Sequence, residues 1–241
     1  MKRTYWTLFY VAALAVDLVI LYVGDVSLRP YSKSALMPLL MGMVLHAGPR
    51  GASALKVLLL AALFFSWAGD ALLLFEPEGP EFFMAGLGAF LVAQVAYSVA
   101  LGKLRIRKGV RFRLVGLVPV IAFYVCLIGL LWDHLGALRT PVLVYGAVIS
   151  TMLAMAVQLV PLKNRKSAAL LFGGALLFVA SDTVLALQKF YWKTPSPHYG
   201  LLIMSTYGLA QLFLTLGLLN HSAPVPVPQK SEQARRMELL N

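Results

Sequence analysis

Apolar residues gather along this chain in eight long runs, at about residues 5–23, 30–46, 54–75, 82–101, 112–132, 141–160, 167–191 and 199–219. Each is close to the ~20 residues that an α-helix needs to cross a bilayer. The runs are too long for barrel strands, and backbone groups in lipid must pair within their own segment, so the predicted elements are helices. The second run is the weakest. Its clean apolar part, 34–47, would reach only ~21 Å at the helical rise per residue. To cross ~30 Å of hydrocarbon it must recruit residues back toward Pro30, which draws Lys33 below the outer surface. There Lys33 either snorkels to the headgroups or pairs with a buried acid or a phosphate.

Few polar residues interrupt the runs, and three of them are acids: Asp17, Asp70 and Asp182. Acids inside membrane helices are costly and face a bundle interior or a water-filled cavity, so they mark candidate functional sites. Asp70 and Asp182 sit in look-alike segments, ALFFSWAGDALLLF (62–75) and LLFGGALLFVASDTVLALQKFYW (170–192). The helices that follow also align and carry Gln94 and Gln211 as part of an Ala-Gln pair. This pattern suggests two parallel four-helix repeats, a plan that membrane transporters also use. Ser66 and Ser181 beside the acids read as interhelical hydrogen-bonding groups, and Gly69, Gly86, Gly88, Gly173 and Gly174 as close-packing sites.

Composition agrees with a membrane protein: 60% of the 241 residues are hydrophobic, 13% are charged, and the mean hydropathy is +0.79. The formal charge is +11, and its distribution reads as topology, not as a nucleic-acid footprint. Alternating the eight runs puts 16 of the 21 Lys and Arg on one side, including Lys2, Arg50, Lys230, Arg235 and Arg236. The other side has Arg29, Lys33, Arg139, Lys189 and Lys193. Lys and Arg favour the cytosolic side, so both ends are expected there. All three buried acids then fall in the outward halves of their helices. The first run has no small-residue cleavage pattern and reads as an uncleaved span. Residues 1–220 form one transmembrane domain in this reading, with a polar, Pro-rich, disordered cytosolic tail at 221–241. Cys126 is a lone cysteine and excludes an internal disulfide. His46, His134, His198 and His221 lie at run ends without ligand spacing, and no metal, serine-lipase or phosphate-loop motif is present. Neither metal nor cofactor is expected.

The segments KSALMPLL (33–40), FFSWAGDALLL (64–74), GLGAFLVAQVAY (86–97), GGALLFVASDTVLALQKF (173–190) and LIMSTYGLAQ (202–211) together resemble the YhhN-like integral membrane proteins, the lysoplasmalogenase family. The resemblance implies an eight-span helical enzyme in a membrane, here the inner membrane of a bacterium. Its substrate would be a lysophospholipid whose vinyl-ether bond is cleaved to a fatty aldehyde and a glycerophospho-headgroup. Catalysis would rest on Asp70 and Asp182, with Lys33, Lys189, Tyr207, Gln211, Gln94 and Asp17 as candidate substrate contacts. The chemistry suits two carboxyl groups. Protonation of the β-carbon gives an oxocarbenium ion that water traps, and glycosidases manage a similar cation with two carboxyls. The donor must hold its proton at neutral pH, a condition that burial and a neighbouring carboxylate favour. Asp182, nearer the midplane, is the preferred donor. The competing class is a proton-coupled transporter, which also shows parallel repeats and intramembrane acids.

Overall fold

The computed structural model describes residues 3–25, 27–48, 51, 53–192 and 196–222. The cations Lys2, Arg50, Lys193, Lys230, Arg235 and Arg236, and 223–241 of the expected tail, lie outside these residues. Among the described residues eight α-helices follow one another: α1 (Arg3–Val23), α2 (Arg29–His46), α3 (Ala54–Leu74), α4 (Pro80–Arg107), α5 (Val118–Leu131), α6 (Arg139–Gln158), α7 (Arg165–Ala186) and α8 (Pro197–Leu219). The described residues contain no strand. Local chemistry explains several helix starts. Ser53 and Asn164 accept hydrogen bonds from the backbone N–H groups of Lys56 and Ser167, capping α3 and α7. Proline opens α2, α4, α5 and α8, where its missing N–H costs nothing.

Among the described residues seven helical segments are long and apolar enough to cross a membrane, so this is an integral, multi-pass membrane protein. The expected count was eight. The helix that falls short is α2, 18 residues long with Arg29 and Lys33 in its first turns. The reason lies in its packing. Leu36, Met37, Leu40, Met43 and Val44 are buried in the shared core, and both cations reach acids on neighbouring helices. The helix is fitted to protein more than to lipid.

Successive helices alternate in direction. At one end Arg3 donates to the Asn220 side chain, Asn220 donates to Ser167, Ser53 donates to the Ser222 carbonyl, and Gln158 binds the Arg113 backbone. At the other, Arg29 meets Asp17 and Lys189 meets Glu76. His221 and Ser222 are still buried against the bundle.

Helix packing places the two acid-bearing helices. The α3–α4 and α7–α8 pairs are the most extensive in the bundle. A Cβ on Gly174 would lie 2.9 Å from the Leu214 nitrogen and 3.1 Å from the Ala210 carbonyl, so α7 and α8 touch backbone to backbone there. A Cβ on Gly69 would strike the Phe90 ring at 2.6 Å. Close approach through small residues is how helices associate in lipid, where burial of apolar surface supplies no drive. Gly86 is likewise tight, whereas Gly88, expected to pack closely, faces open space. The outlier is α5, in which only Val120 and Leu131 are buried.

Two measurements check these statements. Reporters fused in the α4–α5 loop and in the α1–α2 loop should report opposite sides of the membrane, with the Arg-rich α4–α5 loop cytosolic; equal signals would break the alternation. Gly174→Leu should destabilise the purified protein by about 1–3 kcal/mol through overpacking, seen as a lower unfolding temperature in detergent, while Gly88→Leu should leave it unchanged.

Candidate active site

Asp70 on α3 and Asp182 on α7 line one cavity of about 190 Å³ at the acid-bearing end of the bundle. Each is held by a tyrosine from another helix. Tyr207 on α8 donates to Asp70 Oδ2 at 2.7 Å, and Tyr145 on α6 donates to Asp182 Oδ2. On its other oxygen Asp70 meets the Lys33 ammonium at 3.3 Å, a pair whose side chains are 11% and 3% exposed. An ammonium complements a carboxylate, so α2 supplies the opposite charge that faces Asp70. No ion pair among the described residues reaches Asp182. The two carboxyls therefore share a cavity but not an electrostatic setting.

Aromatic packing fixes Tyr207. Phe90 and Phe178 stand edge-on to its ring, with centroids 5.9 and 5.4 Å away. The two helix pairs that approach at Gly69 and Gly174 supply these rings: Phe90 from α4, Phe178 from α7 and Tyr207 from α8. Leu73, Phe83, Leu87, Leu185 and Met204 make the remaining cavity wall largely apolar. Cations stand around it: Arg29, Lys33 and Lys189 all contribute to the lining. Lys189 lies in the π-helical turn Leu187–Trp192 that continues α7. It pairs with Glu76 and covers the Phe83 ring, 3.9 Å from the centroid. Such wide turns place side chains that a regular helix would point elsewhere, and they recur at functional sites.

Of the residues expected here from sequence, Asp70, Asp182, Lys33, Lys189 and Tyr207 line the cavity. Gln211, Gln94 and Asp17 do not. Gln211 lies behind it, donating to Ser66 at 2.9 Å and accepting from Tyr97; Ser181 donates to the Ile203 carbonyl across the α7–α8 contact. Gln94 is fully buried, its side chain beside the Tyr145 hydroxyl. Asp17 is also fully buried and accepts from Arg29 and Ser32 at 2.7 Å each. Two lining residues escaped the sequence reading. Tyr145 sits in a run without a recognisable motif; the available signal was a tyrosine in mid-span, whose hydroxyl needs a buried partner. Arg29 reads in sequence as a boundary cation. Among the described residues no three His, Cys, Asp or Glu side chains converge as metal ligands.

The arrangement separates Asp17, held outside the cavity in an ion pair, from the two acids that line it. Removing one partner of a buried pair leaves an uncompensated charge at a cost of ~3–5 kcal/mol. Arg29→Met should therefore destabilise the protein strongly, and Asp17→Asn combined with Arg29→Gln should recover part of the loss. Chemical unfolding in detergent measures both. Unaltered stability in Arg29→Met would deny Asp17 this structural role.

The model of the YhhN family matches residues 28–218, which include every cavity residue named above. The chain is 37% identical over 166 residues to "Lysoplasmalogenase TMEM86A" of Bos taurus, covering 68% of this chain and 65% of that protein. It is 36% identical over 170 residues to "Lysoplasmalogenase TMEM86B" of Homo sapiens, with 70% and 66% covered. A "Lysoplasmalogenase" of Mycobacterium tuberculosis is 31% identical over 197 residues, with 80% and 71% covered. The matched part thus spans about 65% of the length of the first of these curated relatives. No solved structure matches the chain. A family match across most of its length, over the helices that carry both acids, establishes that the chain belongs to the YhhN family.

Proposed function

We propose that this protein is a lysoplasmalogenase-type hydrolase of a bacterial inner membrane, cleaving the vinyl-ether bond of an alkenyl lysophospholipid. The observation that carries the reading is the pair Asp70 and Asp182 on the walls of one largely apolar cavity that cations border. The lysoplasmalogenase names of the relatives support the reaction class.

In this mechanism the lipid phosphate binds among Arg29, Lys33 and Lys189. A guanidinium suits bidentate contact with phosphate oxygens. An ammonium has three donors, so Lys33 can serve Asp70 and a ligand oxygen together. Asp182, with Tyr145 and no cation beside it, delivers a proton to the β-carbon of the vinyl ether. The double-bond electrons form the new C–H bond and leave an oxocarbenium ion at the carbon bearing oxygen. The Asp70 carboxylate stabilises that cation and takes a proton from the attacking water. The hemiacetal then collapses: protonated Asp70 gives its proton to the glycerol oxygen as the C–O bond to glycerol breaks, and the hemiacetal hydroxyl gives its proton to the Asp182 carboxylate as the aldehyde forms, so both acids regain their starting states. A positioned general acid contributes roughly 10²–10⁴-fold. Stabilisation of the cation by fixed charge supplies further acceleration.

Asp70→Asn and Asp182→Asn should each abolish aldehyde release from lysoplasmalogen while the protein remains folded and monodisperse. If the two act as a unit, the double variant should be little worse than either single one. Near-normal turnover in one variant would remove that residue from the chemistry.

In heavy water turnover should slow, and the aldehyde should carry one deuterium on the carbon next to the carbonyl. In ¹⁸O-labelled water the glycerol product should contain no label, because water adds to the alkenyl carbon. Label in the glycerol hydroxyl would mean attack at the glycerol carbon and would end the two-acid mechanism. A transporter would leave the lipid intact in the same assay.

A further inference from the structure

We infer that the aliphatic chain of the lipid substrate leaves the two-acid cavity sideways, into a groove between α5, α6 and α7. The inference rests on the hydrolase reading for its ligand and adds a specificity site to it. The cavity does not end at Asp182. Val142, Tyr145, Asp182 and Ala186 line both it and a narrow neck of about 50 Å³. Phe123, Val179 and Thr183 line both the neck and a groove of about 740 Å³. Three hollows thus abut one another through shared wall residues, in a row from the cation-bordered cavity to the outer face of α7.

The groove has the chemistry of a hydrocarbon site. Pro119, Val120 and Phe123 of α5 form one wall, and Phe172, Leu176 and Val179 of α7 another. Thr183 is the sole polar residue in the lining, and its hydroxyl is spent on the Val179 carbonyl at 2.7 Å. Leu176, 48% exposed, opens the groove to the surrounding lipid. Asp182, Val179, Leu176 and Phe172 form a stripe along α7, and the ten residues from Asp182 to Phe172 span ~15 Å. The stripe runs away from the end where Arg29, Lys33 and Lys189 stand. A lysolipid with its phosphate there and its vinyl ether at the acids would send its chain in this direction, toward the middle of the bilayer.

The loose packing of α5, with only Val120 and Leu131 buried, lets this wall yield to a ligand. The Tyr124 ring lies against Gly146, 2.9 Å from where a Cβ would stand, and its hydroxyl donates to the Leu143 carbonyl at 3.1 Å. That contact anchors α5 to α6 beside the neck. Moving a chain from bilayer to groove gains no hydrophobic free energy, because lipid tails are as apolar as the groove. Selection among chains must come from shape, so obstruction is the informative perturbation.

The test uses an alkyl-ether lysophospholipid, which has no vinyl bond to cleave, with a photoreactive diazirine at the chain end. Irradiation of the intact protein in detergent, followed by peptide mapping, should place adducts on 118–123 of α5 and 172–184 of α7. Thr183→Phe, at the mouth of the neck, should reduce these adducts at least fivefold. It should also lower at least tenfold the kcat/KM ratio of a long-chain to a short-chain lysoplasmalogen. Adducts spread evenly over the lipid-facing helices, or an unchanged ratio in both Thr183→Phe and the milder Thr183→Leu, would overturn the groove. Labelling needs no turnover. Groove adducts without aldehyde release would reject the hydrolase reading and keep the chain site, whereas turnover with adducts elsewhere would do the reverse.

Discussion

The contact between Lys33 and Asp70 governs much of this molecule. A carboxylate among membrane helices is tolerable when an opposite charge answers it, and removing either partner strands the other. That requirement explains α2. A helix with two cations near its start is a poor membrane span taken alone. Inside the bundle, however, Arg29 answers Asp17 and Lys33 answers Asp70. The pairing also fixes the depth at which α1, α2 and α3 meet, because two ion pairs in series leave little freedom to slide.

The second acid depends on packing of another kind. Asp182 is set opposite Asp70 by the backbone contact of α7 with α8 at Gly174, and Tyr207 crosses that interface to reach Asp70. Gln211, one helical turn further along α8, ties Ser66 and Tyr97 to the same joint. The polar residues behind the cavity thus hold its walls, while those facing it remain available to a ligand. The asymmetry between the carboxyls follows directly. Asp70 has a cation from α2, and Asp182 has the Tyr145 hydroxyl from α6. Two identical side chains acquire distinct surroundings through what their neighbours bring.

The periphery is built to another standard. Tight glycine-mediated joints hold α3, α4, α7 and α8, whereas α5 presents most of its surface outward. In the proposed reading a lipid substrate would approach from the bilayer, and a wall that can yield would be better placed there than around the acids.

Hydrophobic run length by itself determined that the chain is helical and membrane-spanning, because lipid leaves the backbone no other way to pair. The rarity of acids in those runs singled out Asp17, Asp70 and Asp182, since a buried carboxylate is costly, and the look-alike segments around Asp70 and Asp182 set those two apart. The sequence also revealed the weak second run and the two fates open to Lys33. Tertiary structure decided the rest. Whether Lys33 meets headgroups or Asp70 depends on the rotation of α2, which composition does not encode. Gln94, Gln211 and Asp17 look equivalent to Tyr207 in sequence, yet they face joints and not the cavity, because helix rotation sorts residues of the same depth onto different faces. Tyr145 belongs to a run without a motif, and only the packing of α6 against α7 brings its hydroxyl to Asp182. Burial cost depends on residue type and can be read along a chain; direction around a helix axis is set by neighbours distant in sequence.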